Sequence, residues 1–136
     1  MGKPITTARE GICFAFPDVC KTPAPVPSGF VPIPYPNTGQ LADAKPTATK
    51  NVLVGSEGII TSKSEIPYLK TTGDEPGSLG GIISGTTKGE VKFVTYSISV
   101  KAEGSHVVRI FDSTTQNNGN AVGQVLAGVP NVLVGD

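Results

Sequence analysis

The sequence is poor in the residue types on which most protein chemistry depends. Of its 136 residues one is histidine, His106, and two are cysteine, Cys13 and Cys20, so a site built from several histidines is excluded. No serine sits in a Gly-x-Ser-x-Gly elbow, and no glycine pattern has the strand–glycine–helix setting of a phosphate or dinucleotide cradle. With no nucleophile, base and charge stabiliser in recognisable spacing, the chain is expected not to be an enzyme. Charge of one sign is missing too: 11 basic groups balance 11 acidic ones, which argues against a nucleic-acid partner. No apolar run approaches the roughly 18 residues of a membrane span, so no stable membrane insertion is expected. The first ten residues, Met1 to Glu10, lack the apolar centre of a secretory signal.

Glycine and proline are what the sequence has in abundance, together 29 of the 136 residues. Proline costs about 3 kcal/mol inside a helix and glycine about 1, so a helical bundle is excluded. The Val/Ile/Thr-rich runs supply a β core instead. The fold class is mainly β: one small domain over residues 1–136, made of short strands and hairpins with Gly/Pro-rich loops and at most one or two short helices. Residues 1–12 are expected as a flexible leader.

Seven prolines fall between Pro17 and Pro36. They fix φ and bias their neighbours toward extended backbone, so this segment is polyproline II or edge strand and not a central strand. The interleaved Val26, Phe30, Val31, Ile33 and Tyr35 mark it as packed, because linkers seldom carry such residues. Residues 51–61 predict a hairpin in which Asn51–Gly55 leads through a glycine-assisted turn at Ser56-Glu57-Gly58 into Ile59-Ile60-Thr61. Residues 71–89, with six glycines, predict a loop. Val94, Tyr96, Ile98, Val100 and Ala102 alternate with polar residues, which predicts a half-buried strand over 94–103. Gly104-Ser105 then turns into a return strand over 107–111, and residues 113–120 read as a polar loop. The pentapeptide Asn-Val-Leu-Val-Gly occurs at 51–55 and again at 131–135, with a looser relative at 100–105. Either short hairpins simply look alike, or the chain carries about three hairpin units and approximates three-fold symmetry.

Few side chains stand out for chemistry. Asp74 and Glu75 are adjacent and read as turn residues rather than an acid–base pair. Cys13, Cys20 and His106 are the candidate metal ligands; zinc would need Asp18, Asp112 or a water as a fourth. Reduced, packed cysteines are the favoured reading. Arg109 and Asp112, three apart at a strand end, suit a charge-assisted clamp on a turn.

Phe16-Pro17-Asp18-Val19-Cys20-Lys21-Thr22-Pro23, then Pro32-Ile33-Pro34-Tyr35-Pro36-Asn37, then Gly73-Asp74-Glu75-Pro76-Gly77 with Gly80-Gly81, and finally Arg109 with Asp112, resemble the PAAR-like domain. This is the proline-alanine-alanine-arginine-type tip of type VI secretion and related contractile injection systems. The resemblance runs from about residue 13 to about residue 120. It implies a small conical β domain capping a trimeric VgrG-type spike, one tip per trimer, that sharpens the spike and carries a secreted effector. It also implies a protein held in the cytoplasm until firing and then delivered outside the cell or into a target cell. The alternative is a β-rich binding or phage-tail module with no trimeric partner. PAAR tips proper hold zinc near the apex with histidines and a cysteine. PAAR-like relatives often show Thr-His-Asn where this chain has Thr115-Gln116-Asn117, so glutamine stands in for histidine here.

Overall fold

Residues this poor in helix formers make, in the computed structural model, a mainly β protein. The structure describes residues 2–135. In chain order the strands are β1 (Lys3–Ile5), β2 (Ile12–Pro23), β3 (Phe30–Gln40), β4 (Leu53–Val54), β5 (Glu57–Gly58), β6 (Glu65–Ile66), β7 (Val91–Phe93), β8 (Lys101–Ala102), β9 (Ser105–His106), β10 (Ser113–Gln116), β11 (Ala121–Val125) and β12 (Val129–Val134). One short 3-10 helix, Leu41–Thr47, follows β3. Six strands form a sheet in the order β3-β2-β11-β10-β7-β6, and three two-stranded ribbons, β1-β12, β4-β5 and β8-β9, stand apart from it. The main core lies between the sheet and the 3-10 helix, with Cys13, Leu41, Ile60, Ile66, Val91, Phe93, Val108 and Val125 buried together. Each large aliphatic side chain buried in this way contributes about 1.5–3 kcal/mol.

The proline-rich stretch becomes the long β2–β3 hairpin. Its first part pairs on both edges, with Cys13, Phe14 and Ala15 also bonded to β11. A bulge at Ala15–Asp18 ends that pairing. Beyond it, Val19 and Lys21 exchange backbone hydrogen bonds with residues 79–82, so Cys20 and Thr22 face Ile33 and Val31 of β3. Strand alternation then puts Pro32 and Pro34 with their missing N–H on the outer edge of the sheet. That edge cannot serve as a pairing template along its full length.

Three expectations fail, each for a tertiary reason. Residues 3–8 are not a flexible leader: β1 pairs with β12, and Ile5, Thr6, Thr7 and Ala8 are buried. The alternation over 94–103 does not make the expected strand; only its end, Lys101–Ala102, is paired, as β8. Val91 and Phe93, of the opposite parity, are the buried pair, while Val94 and Ile98 face solvent, Ile98 at 81% exposure. Ser97 is buried instead; its backbone N–H donates to Val107 O and its hydroxyl accepts from Val100 N–H. Residues 113–120 are not a loop, because β10 is an interior strand between β7 and β11 with Thr114 and Gln116 buried. Its turn into β11 is made by Asn117, Asn118 and Gly119, all at positive φ, a conformation these residue types tolerate.

Candidate functional site

The three ribbons converge on one point. One strand of each, β1, β5 and β9, runs on into a short extended segment, at residues 4–8, 58–62 and 106–110. At the centre, Thr6 N–H donates to Val108 O (3.0 Å), Val108 N–H to Ile60 O (2.9 Å), and Ile60 N–H to Thr6 O (3.0 Å). A second cycle surrounds the first: Ala8 N–H to Gly58 O, Ser62 N–H to His106 O, and Ile110 N–H to Pro4 O. The bridges Ile5↔Arg109, Thr7↔Ile59 and Thr61↔Val107 permute in the same way. A closed head-to-tail cycle of three equivalent bonds is the signature of three-fold symmetry, here within one chain.

The side chains follow the same rotation. Ile5, Ile59 and Val107 are equivalent and buried in one satellite cluster. Val54, Ala102 and Val134, one position before each hairpin end, pack against them. The strand registers, Leu53↔Gly58, Lys101↔His106 and Leu133↔Pro4, make Leu53, Lys101 and Leu133 equivalent as well. The two Asn-Val-Leu-Val-Gly copies therefore occupy matching places, and three similar ribbon units describe the fold, two of them hairpins and the third the pairing of the first and last strands. The two hairpins close with two-residue turns at positive φ, Gly55-Ser56 and Glu103-Gly104, the geometry that matches strand twist. In the third, Lys3 faces Val134 across that position. Leu53 and Leu133 expose 50% and 61% of their surface. Glu103 ties two ribbons together: its Oε2 accepts the backbone N–H groups of Val52, Asn51 and Lys50 at 3.0, 2.6 and 2.9 Å. Those bonds hold its carboxyl below the usual range. Beside the centre, Asp112 Oδ2 accepts Arg109 N–H (2.7 Å) and Nε (2.9 Å), and Oδ1 accepts Nη2 (2.8 Å), with both side chains buried.

Most of the motif residues gather elsewhere, along β2 beyond its bulge. Asp18, Cys20, Asn37 and Asp74 are all buried there. Asn37 Nδ2 lies 3.3 Å from Asp18 Oδ2, Asp74 Oδ2 and Thr71 Oγ1. Burial, with the hydrogen bond and charge of Asp18, pushes the Asp74 carboxyl up to about 7 against the bonds from Lys88 N–H and Asn37. Gly77 packs on Cys20, Gly73 on the Pro36 backbone, and Gly81 against the Asn120 amide, where no side chain has room. Gly80 takes φ +97° in the same loop. Glu75 holds the turn by accepting from Gly73 N–H (2.7 Å) and Thr72 Oγ1 (2.8 Å). Tyr35 shares a 2.6 Å hydrogen bond with Thr22. Pro17, Pro23, Pro32, Pro34 and Pro36 lie exposed along the ribbon.

The candidate zinc ligands do not meet. Cys13 is packed in the main core, where burial pushes its thiol up to about 12. Cys20 lies seven residues along the same strand, roughly 20 Å at the usual rise. His106 stacks on Tyr96 with ring centroids 5.1 Å apart. Both cysteines are free. Among the described residues, the grouping of three ligand-type side chains is Asp18, Cys20 and Asp74, with ligand atoms within 4.8 Å. The sequence reading missed Gln116, Asn117 and Asn120 as members of this cluster. Their signal was a run of amides, Gln116-Asn117-Asn118-Gly119-Asn120, that looked like an ordinary polar loop.

Residues 11–123 match the sequence profile of a family described as the toxin PAAR-like domain. A protein named DNase toxin Tse7, from Pseudomonas aeruginosa, is 44% identical over 115 residues, which is 80% of this chain and 29% of that relative. No solved structure matches the chain. The relative overturns the expectation that the protein is not an enzyme. That expectation weighed only side chains within 136 residues, whereas the chain spans under a third of the toxin it matches.

Proposed function

Because the chain belongs to the toxin PAAR-like domain family, we propose that it forms the spike-tip portion of a toxin loaded onto a contractile injection machine. The observation that carries this reading is the closed three-fold cycle of Thr6, Ile60 and Val108. A single chain that must sit on the axis of a trimer meets three identical surfaces, and the partner's symmetry favours a face that repeats three times. The ribbons around the cycle supply that face. Each is two-stranded; β1, β5 and β9 are bonded inward to the neighbouring units, which leaves the β12, β4 and β8 side of each ribbon to continue a partner's β structure by strand addition. The exposed Leu53 and Leu133, at equivalent corners, supply apolar contact. The partner is a trimeric VgrG-type spike, and one chain occupies the end of each trimer. The likeness to a DNase toxin supports a DNA-cleaving activity in the full protein. No helix among the described residues is long and apolar enough to cross a membrane; delivery is assigned to the injection machine, from the cytoplasm into the target.

The paired substitution Leu53→Glu with Leu133→Glu tests this docking face. Both side chains are exposed, so the thermal midpoint stays within a few degrees of wild type. Binding to the trimeric spike, measured by co-elution, is lost, because two carboxylates would be buried without partners. Ile83→Glu, in the loop at the other end of β2, keeps binding. Undiminished binding of the paired variant contradicts the assignment.

A further inference from the structure

Zinc is what the PAAR resemblance implies at the apex, and Asp18, Cys20 and Asp74 are close enough together to suggest it. Their hydrogen bonds say otherwise. Asn120 Oδ1 accepts the backbone N–H groups of Ile83 (2.8 Å) and Ser84 (3.2 Å), which turns its Nδ2 onto Asp18 Oδ1 at 2.6 Å. Asn117 Oδ1 accepts Gly89 N–H (2.9 Å) and Thr86 Oγ1 (3.0 Å), which turns its Nδ2 onto the same Asp18 oxygen at 3.1 Å. Gln116 Nε2 faces the Asn37 backbone carbonyl at 3.0 Å, so it is the donor to Asn37 Oδ1 at 2.8 Å. Asn37 Nδ2 is thereby aimed at Asp18 and Asp74. The remaining approach to Asp74 is taken by Lys88 N–H at 3.2 Å.

Backbone groups therefore fix the orientation of all three amides at β10–β11, and through Gln116 that of Asn37. Each presents N–H where a cation would need open lone pairs. The thiol is no better suited: its Sγ lies 3.6 Å from Asp18 Oδ1 as a donor. Zinc takes the thiolate. At the place of the family's histidine, Gln116 offers an N–H and not a lone pair.

We propose that this locked amide network replaces a metal ion as the device joining β2, β3, the 71–89 loop and the β10–β11 turn, so that the fold of this chain is independent of bound metal. The network spans partners up to 102 residues apart, the same long-range cross-linking that a structural zinc provides. This inference rests on side-chain geometry alone and stands or falls separately from spike binding.

The test is elemental analysis of the purified chain together with its thermal midpoint in EDTA and in added zinc chloride. The expected result is no stoichiometric zinc and a midpoint unchanged by either addition. One zinc per chain, or a midpoint that falls on chelation and returns with zinc, overturns the proposal. A second arm uses Asn120→Asp, which keeps the shape but exchanges the donor facing Asp18 for a carboxylate oxygen. Its midpoint falls by several degrees in EDTA, and a midpoint equal to wild type also overturns the proposal.

Discussion

Asp112→Ala lowers the unfolding free energy by about 3–5 kcal/mol, the range for removing one partner of a buried ion pair. The carboxylate accepts three hydrogen bonds from Arg109 and a fourth from Thr95 Oγ1 at 2.9 Å. Without it the guanidinium stays in a pocket where Arg109 is only 6% exposed. The damage reaches the three-fold centre directly, because Arg109 follows Val108 and bridges Ile5. Burial alone would raise the Asp112 carboxyl, but the bonds from Arg109 and Thr95 and the charge of Arg109 outweigh it and hold it low. A lowered carboxyl contributes stability above its unfolded value near pH ~3.9. That contribution disappears as the pH falls through the native value. Chemical denaturation at pH 7 and in acid checks both points: the gap between wild type and variant is wide at pH 7 and narrows in acid. A variant within about 1 kcal/mol of wild type at pH 7, less than breaking a buried pair costs, contradicts the account of this turn.

Gly81→Ala has a comparable effect at the other end. An added Cβ enters the Asn120 amide, which cannot step aside because its oxygen holds two backbone N–H groups and its nitrogen holds Asp18. Overpacking costs about 1–3 kcal/mol and a displaced charge-assisted hydrogen bond about 1.5–3, so the loss is about 2.5–6 kcal/mol. Gly85→Ala is the internal comparison. It lies four residues on at φ +74° with open space around its Cβ position, so only the left-handed backbone penalty of about 1–2 kcal/mol applies. Urea midpoints for the two variants should therefore separate clearly. Equal losses would mean that the contact with Asn120 does not matter.

These two sites mark where local sequence signals stopped being readable. The β class, the extended proline stretch and the glycine loop were legible, since turns and proline act on their own neighbours; the hairpin after Asn51 was legible too, but its turn falls at Gly55-Ser56, ahead of the expected Ser56-Glu57-Gly58. The alternation over 94–103 misled because the core had already been claimed by Val91 and Phe93, and the next residues serve Asp112 and Val107 with polar groups. The three-fold centre left a trace in the two Asn-Val-Leu-Val-Gly copies. Its third member, Lys101-Ala102-Glu103, retains the position but not the residues, because Glu103 is used to hold the backbone at 50–52. The amide network left only the run of amides at 116–120 as a trace, and that run does not say what it binds, since Asn120 and Asp18 are 102 residues apart and only the fold introduces them. The expectation of a non-enzyme failed for a different reason: it weighed side chains within 136 residues, whereas the DNase toxin that the chain resembles is covered to only 29% of its length.

The central claim is that one chain presents a three-fold face to a trimer. It is tested most directly by weighing the complex with the trimeric VgrG-type spike, using native mass spectrometry. The account predicts a single mass corresponding to three spike chains and one copy of this chain, unchanged by excess tip. A complex carrying three copies, or no complex at all, would contradict it.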